Sequence, residues 1–229
     1  MSYSHLKPAN PSPAGAQAAV PRQFDRNARL WGSDGVARLA DSHVMLFGLG
    51  GVGSYTLEGL ARAGVGRLTL VDFDDICLTN VNRQLHAFPS TIGKSKVELM
   101  AERVQAINPE CHVEAVHGFY EAKTSPAILA RKPDLIVDAI DNVTAKLHLL
   151  ATCITRPIPV VTCLGASGKV DPTNVRFNEL RKTHDDPLAK AIRKNLWRVY
   201  AINLKRVSNL IAVFSDENVI LPDPEYQSP

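Results

Sequence analysis

The chain has 229 residues, 45% of them hydrophobic, and a formal charge of +3 at neutral pH. That is enough apolar mass for one sizeable core, and too little charge imbalance for a dedicated nucleic-acid arm. Its four cysteines, Cys77, Cys111, Cys153 and Cys163, form no CxxC pair and no Cys–His zinc spacing, which points to a reduced, cytoplasmic protein. No run approaches the roughly 18 apolar residues needed to cross a bilayer, so no membrane span is expected.

Residues 1–21, rich in Pro, Ala and Ser, read as a disordered leader without the marks of a signal or transit peptide. Arg22 to Ala40 follows a helical period, with Phe24, Leu30, Trp31, Val36 and Leu39 on an apolar face, and is expected to form an N-terminal arm. Next come a strand over His43 to Phe47, a helix over Val52 to Ala63, a strand over Arg67 to Val71, a helix over Lys94 to Ile107 and a strand over Val113 to His117. A short helix near Ser125 to Ala130, a strand over Asp134 to Ala139, a helix over Val143 to Thr155 and a strand over Pro159 to Leu164 continue the alternation. This order predicts an α/β fold with a doubly wound, Rossmann-like, mainly parallel sheet.

After Gly165 the period changes. Lys169 to Phe177 reads as a strand broken by Asp171-Pro172, Pro187 to Tyr200 as a basic helix, and Asn209 to Phe214 as a short apolar strand, together a small antiparallel C-terminal extension. Residues 22–217 are thus expected to form one domain. Residues 218–229, with Pro222 and Pro224, read as a loose tail.

The first strand runs directly into Gly48-Leu49-Gly50-Gly51-Val52-Gly53, and the second ends on Asp72. Glycines there let backbone approach phosphate, the following helix offers unpaired N–H groups, and a strand-end carboxylate can accept hydrogen bonds from a ribose. Alone, this order suggests NAD or FAD. The chain continues, however, with Asp74, Asn80, Arg83, Gln84 and Lys96, and later with Asp141-Asn142 after another strand. Hydride transfer needs none of these. Arginine and lysine neutralise phosphate, and a strand-end aspartate is a hard ligand for Mg²⁺, so the set suits a nucleoside triphosphate with its metal.

These residues resemble the adenylating family that includes ThiF, MoeB and the activating enzymes of ubiquitin-like proteins. Ala28-Arg29-Leu30-Trp31-Gly32, Asp74 to Gln84, Ile107-Asn108-Pro109-Glu110, Asp171-Pro172-Thr173 and Asp186-Pro187-Leu188-Ala189 are similar to its tRNA threonylcarbamoyladenosine dehydratase branch. The resemblance implies ATP and Mg²⁺ as cofactors, with Gly48, Gly50, Gly51 and Gly53 near the phosphates and Asp72 on the ribose. Asp74, Asn80 and Gln84 would line the pocket, Arg83 and Lys96 would hold phosphates, and Asp141 would bind the metal. Arg29 would reach the triphosphate from the partner subunit of a homodimer. The implied reaction activates the carboxylate of a tRNA-borne threonylcarbamoyl group as an acyl adenylate, then closes a ring with net loss of water. Alternatives are adenylation of a ubiquitin-like or sulfur-carrier protein, and a non-catalytic nucleotide-binding scaffold that meets a sulfur-trafficking partner. The missing CxxC pairs weigh against carrier activation. Position 146 holds Lys146 where the wider family often has arginine.

His86 reads as a packed or capping residue near the phosphate segment, and Cys163 as a structural thiol. Arg181, Lys182, Lys190, Arg193, Lys194, Arg198, Lys205 and Arg206 form a basic stretch that reads either as a solvated face or as a contact for RNA backbone.

Overall fold

The computed structural model describes residues 20–221; the leader, apart from Val20 and Pro21, and the tail from Pro222 onward lie outside the described residues. The first strand, β1 (His43–Phe47), is buried along its whole length and lies in the middle of a seven-stranded sheet. Its side chains alternate between two apolar layers: Met45 and Phe47 enter one core, Val44 and Leu46 the other. A strand covered on both faces is largely apolar, and the polar His43 at its start is satisfied by the Thr69 side chain at 2.9 Å.

Helix α2 (Gly51–Ala63) returns the chain to β2 (Arg67–Asp72), which pairs parallel with β1. Gly64 ends α2 at φ +91°, a left-handed stop that a side chain would strain. Helix α3 (Lys96–Ile107) leads to β3 (His112–His117), and α4 (Ser125–Leu129) precedes β4 (Leu135–Asp138). Helix α5 (Val143–Thr155), capped by the Asn142 side chain accepting from the Ala145 N–H at 3.0 Å, leads to β5 (Val160–Cys163). The core against α2 and α3 contains Leu57, Leu68, Leu70 and Met100; that against α5 contains Ile136, Leu149 and Leu150.

The C-terminal part adds β6 (Val175–Glu179), α6 (Pro187–Tyr200) and β7 (Leu210–Ser215). The strand order is β3-β2-β1-β4-β5-β7-β6. One of the two added strands is antiparallel: β7 continues the parallel ladder on β5, and β6 runs against β7 at the edge. The proposed strand from Lys169 begins only at Val175. Asp171 instead accepts from the Thr173 N–H and starts a 3-10 turn over Pro172–Asn174, so the Asp-Pro pair acts as a stop rather than an interruption.

The N-terminal arm also departs from expectation. Helix α1 (Asp25–Asp41) is broken at Gly32, where φ is +75° and ψ 168°. The break rotates one half against the other, so Phe24 and Val36 are buried while Leu30 and Trp31 remain 75% and 47% exposed. At about 100° per residue these four positions spread around a continuous helix, so no single face could have buried them all. No helix among the described residues is long and apolar enough to cross a membrane.

Candidate active site

Parallel strands deliver their C-terminal ends to one rim of the sheet, and the loops there enclose a cleft of about 490 Å³. Gly48 follows β1 at φ +84°, and a Cβ on it would lie 2.6 Å from the Ala139 carbonyl oxygen, so only glycine allows the β1 and β4 loops to meet. Gly53 serves the same packing from inside α2, where a Cβ would come within 1.8 Å of the Gly48 carbonyl oxygen. It supports the loop from behind and is not part of the cleft lining, whereas Gly48, Gly50 and Gly51 are. The α2 N-terminus therefore faces open space with its first N–H groups available.

Asp72 lines the cleft beside that loop and holds it: one carboxylate oxygen accepts the Leu49 N–H at 2.6 Å, the other the Asp74 N–H at 2.9 Å. Each oxygen keeps a lone pair for a ligand hydroxyl. Asp74 also lines the cleft and is paired with Lys96 at 2.7 Å. Lys96 is almost fully buried beneath the lining, at the first position of α3, where the helix dipole opposes a cation. Its charge is held there by Asp74.

Asn80 stays out of the cleft. Its side chain accepts from the Cys77 N–H at 3.0 Å, and its carbonyl accepts from the N–H groups of Arg83 and Gln84. It builds the turn that presents the next two residues. The Arg83 guanidinium is oriented by the Thr79 carbonyl and the Asn82 side chain, at 2.8 and 3.0 Å, and its stem packs against Gly51. Gln84 is buried yet lines the cleft, and its side-chain oxygen has no partner within the protein. That oxygen is turned into the protein, while the amide nitrogen lies beside Gly50.

The two aspartates after β4 have separate fates. Asp138 is wholly buried, accepting from Lys146 Nζ at 2.7 Å, Thr162 Oγ1 at 2.7 Å and the Ile140 N–H at 3.1 Å. Lys146 spends its remaining protons on Thr162 Oγ1 and the Cys163 carbonyl, at 3.2 and 3.0 Å, and so ties β4 to β5 under the cleft floor rather than facing a ligand. Asp141, by contrast, is exposed at the cleft and makes no ion pair among the described residues. Arg29 is exposed on the first half of α1 and is not part of the lining of its own chain's cleft.

Several lining residues carry no motif. Phe73 and Phe119 meet edge to face, ring centres 4.9 Å apart, at the β2–β3 end of the cleft. Tyr120 packs on Phe47, and its hydroxyl bonds Ser125 and His148; burial pushes it up to about 12. All three follow strand ends, which is the positional signal that would have found them. His86 lies outside the lining. It is buried with both ring nitrogens unpartnered, and burial, then Lys96 and Arg103, lowers its pKa to about 4. Burial likewise raises the Cys163 thiol.

Residues 24–195 match the ThiF family. The chain is 45% identical over 203 residues to the tRNA threonylcarbamoyladenosine dehydratase of Haemophilus influenzae, covering 88% of this chain and 78% of that protein. To the Escherichia coli K12 protein of the same name it is 40% identical over 206 residues, covering 89% and 77%. The E. coli dehydratase in complex with ATP superposes with a TM-score of 0.85 at 41% identity, covering 88% of this chain and 84% of that one. With the glycine loop, Asp72 and Asp141 gathered at one rim, this chain belongs to the ThiF family of α/β proteins and is similar, over most of its length, to the tRNA threonylcarbamoyladenosine dehydratases.

Proposed function

We propose that residues 22–217 form an ATP-dependent tRNA threonylcarbamoyladenosine dehydratase. The observation that carries the reading is a cleft with an unpaired Asp141 and an open helix N-terminus, in a chain similar over most of its length to dehydratases solved with ATP and AMP. The glycine loop and α2 would receive the phosphates, and Asp72 the ribose. Phe73 and Phe119 supply an apolar flank for a purine at the β2–β3 end.

Charge decides what else is needed. The lining carries three carboxylates, Asp72, Asp74 and Asp141, against one guanidinium, Arg83, with Lys96 neutralising Asp74 from beneath. Such a cleft cannot balance a triphosphate by itself. No group of three or more His, Cys, Asp or Glu that could hold a metal occurs among the described residues. Mg²⁺ needs only one or two carboxylates when phosphate oxygens complete its shell, so Asp141 fits a metal held jointly with a nucleotide. A further cation is supplied in this reading by Arg29 of a second subunit, presented on the exposed face with Leu30 and Trp31. A cytoplasmic homodimer follows, with a sulfur-trafficking protein as a further partner.

ATP supplies a leaving group that a carboxylate lacks: the substrate carboxylate takes the adenylyl group, pyrophosphate departs, and ring closure releases AMP. The chain's own part is to orient and to stabilise charge developing on the phosphates through Arg83 and backbone N–H groups, with Lys96 holding Asp74 in place from beneath. Nucleoside mass spectrometry after incubation with ATP and threonylcarbamoylated tRNA tests this. Loss of one water from the modified nucleoside is expected. Pyrophosphate release with a carrier protein but not with the tRNA would overturn it.

A further inference from the structure

The cleft has a neighbour. A second hollow of about 480 Å³ lies over the C-terminal ends of β5 and β7 and against the start of β6. The two share Val52, Cys163, Leu164, Gly165 and Ala166. Val52 stands in the first turn of α2, so the shared wall adjoins the phosphate-facing end of the cleft, while Asp72, Phe73 and Phe119 sit at the opposite end. Along the rim from β3 to β6 the order is aromatic flank, glycine loop, Asp141, shared wall, second hollow. An acid that is to meet the phosphates from the hollow has that shared wall alone to pass.

Its chemistry differs from that of the cleft. Lys169 is the one cation of the hollow's wall, and its ammonium is engaged by the carbonyls of Ser215 and Glu217, at 2.6 and 2.9 Å. Asp171 is engaged by the backbone and hydroxyl of Thr173 and by the Asn174 amide. With those charges taken up, the remaining wall is largely apolar, including Val170, Val175 and Val213. A wall whose single cation is already held by two carbonyls offers a polyphosphate few partners and accepts a flat, uncharged ring. It is also preformed. The Gly165 N–H donates to Asp186 at 3.0 Å, the N–H groups of Val170 and Asp171 donate to the Glu217 carboxylate at 3.0 to 3.1 Å, and Gly168 turns at φ +69° against Ile220.

We propose that this hollow is the acceptor subsite: it seats the base of the carboxylate-bearing nucleoside, with the acid reaching past Gly165 and Ala166 toward the phosphates. The assignment rests on the dehydratase reading and adds where the RNA-borne group is held.

Val175→Trp places an indole in the hollow from an exposed edge position outside the cleft lining, and Val170→Trp does so from the loop before β6. KM for threonylcarbamoylated tRNA, kcat, ATP affinity by calorimetry and the melting temperature are measured for both. The expected result is a KM for the tRNA raised by roughly tenfold or more, with ATP affinity held within about twofold. A tRNA KM within about twofold of wild type in both folded variants, or an ATP affinity falling in step with it, overturns the subsite. Wild-type protein inert toward the RNA takes down the dehydratase reading as well, so the two failures are distinguishable.

Discussion

Lys146→Met tests the floor of the site. Lys146 and Asp138 are both wholly buried, and the ammonium makes three bonds, to Asp138, Thr162 and the Cys163 carbonyl. Methionine keeps the stem's volume and removes all three. A buried carboxylate is then left facing Thr162 and one backbone N–H with no counter-charge, which costs about 3–5 kcal/mol. For a domain of this size that lowers Tm by roughly 6–20 °C, at about 2–4 °C per kcal/mol. Removing both charges, as Lys146→Met with Asp138→Leu, leaves no buried charge unpaired, only the Thr162 hydroxyl and the Ile140 N–H without these partners, and the double variant is expected to recover part of the loss because desolvation of the pair offsets much of its attraction. Urea unfolding of wild type, both single variants and the double variant closes the cycle. A single-variant loss below about 1 kcal/mol, or strictly additive losses, would refute the argument that the pair acts as one buried unit.

Arg83→Ala and Asp141→Ala are each expected to cut turnover by about 100-fold or more with Tm unchanged, because both are exposed and the proposed reaction uses Arg83 on the phosphates and Asp141 on the metal; turnover within about tenfold of wild type would remove them from the site. Mixing Arg29→Ala chains with Asp141→Ala chains should restore about a quarter of wild-type turnover, since one site of each mixed dimer receives an intact Asp141 from one subunit and an intact Arg29 from the other. No recovery, with mixed dimers verified, would place Arg29 elsewhere. His86 titrates near 6.5 when unfolded and near 4 when folded, so the unfolded chain binds a proton that the native state refuses. Stability is therefore full above pH 6.5 and lost as pH falls toward 4, by up to about 3 kcal/mol. His86→Phe should flatten that slope in urea titrations at stepped pH; an unchanged slope would assign it to other groups. Gly53→Ala should unfold the glycine loop, since its Cβ would overlap the Gly48 carbonyl; a soluble variant with native ATP affinity would contradict that packing.

The parallel half of the sheet was legible because β1, β2, β4 and β5 are short apolar runs closed by glycine or aspartate, and a run covered on both faces has one plausible home. The site was legible where residues sit next to a strand end: Gly48, Gly50, Gly51, Asp72 and Asp141 all line the cleft. Side-chain direction was less visible. Asn80 shares a segment with Arg83 and Gln84, yet its carboxamide is turned back to cap its own turn, and Lys96 lies behind Asp74 rather than at the surface. Both outcomes depend on which neighbour reaches a polar atom first, which spacing does not encode. Leu30 and Trp31 misled for a related reason. The helical period treats Gly32 as one more position, whereas its backbone dihedrals reset the phase of everything before it. Phe73, Phe119 and Tyr120 carry no charge and no motif, and entered the site through the fold.

Asp186 works in two places at once. One carboxylate oxygen accepts the Ala189 N–H that opens α6, and the other accepts the Gly165 N–H on the partition between the two chambers. The helix bearing Lys190, Arg193, Lys194 and Arg198, which packs into the core through Ala189, Ile192 and Leu196, is thereby also joined to that partition at its first turn. Removing that carboxylate, as in Asp186→Ala, therefore strips a partner from the first turn of α6 and from the wall between the hollows in a single change.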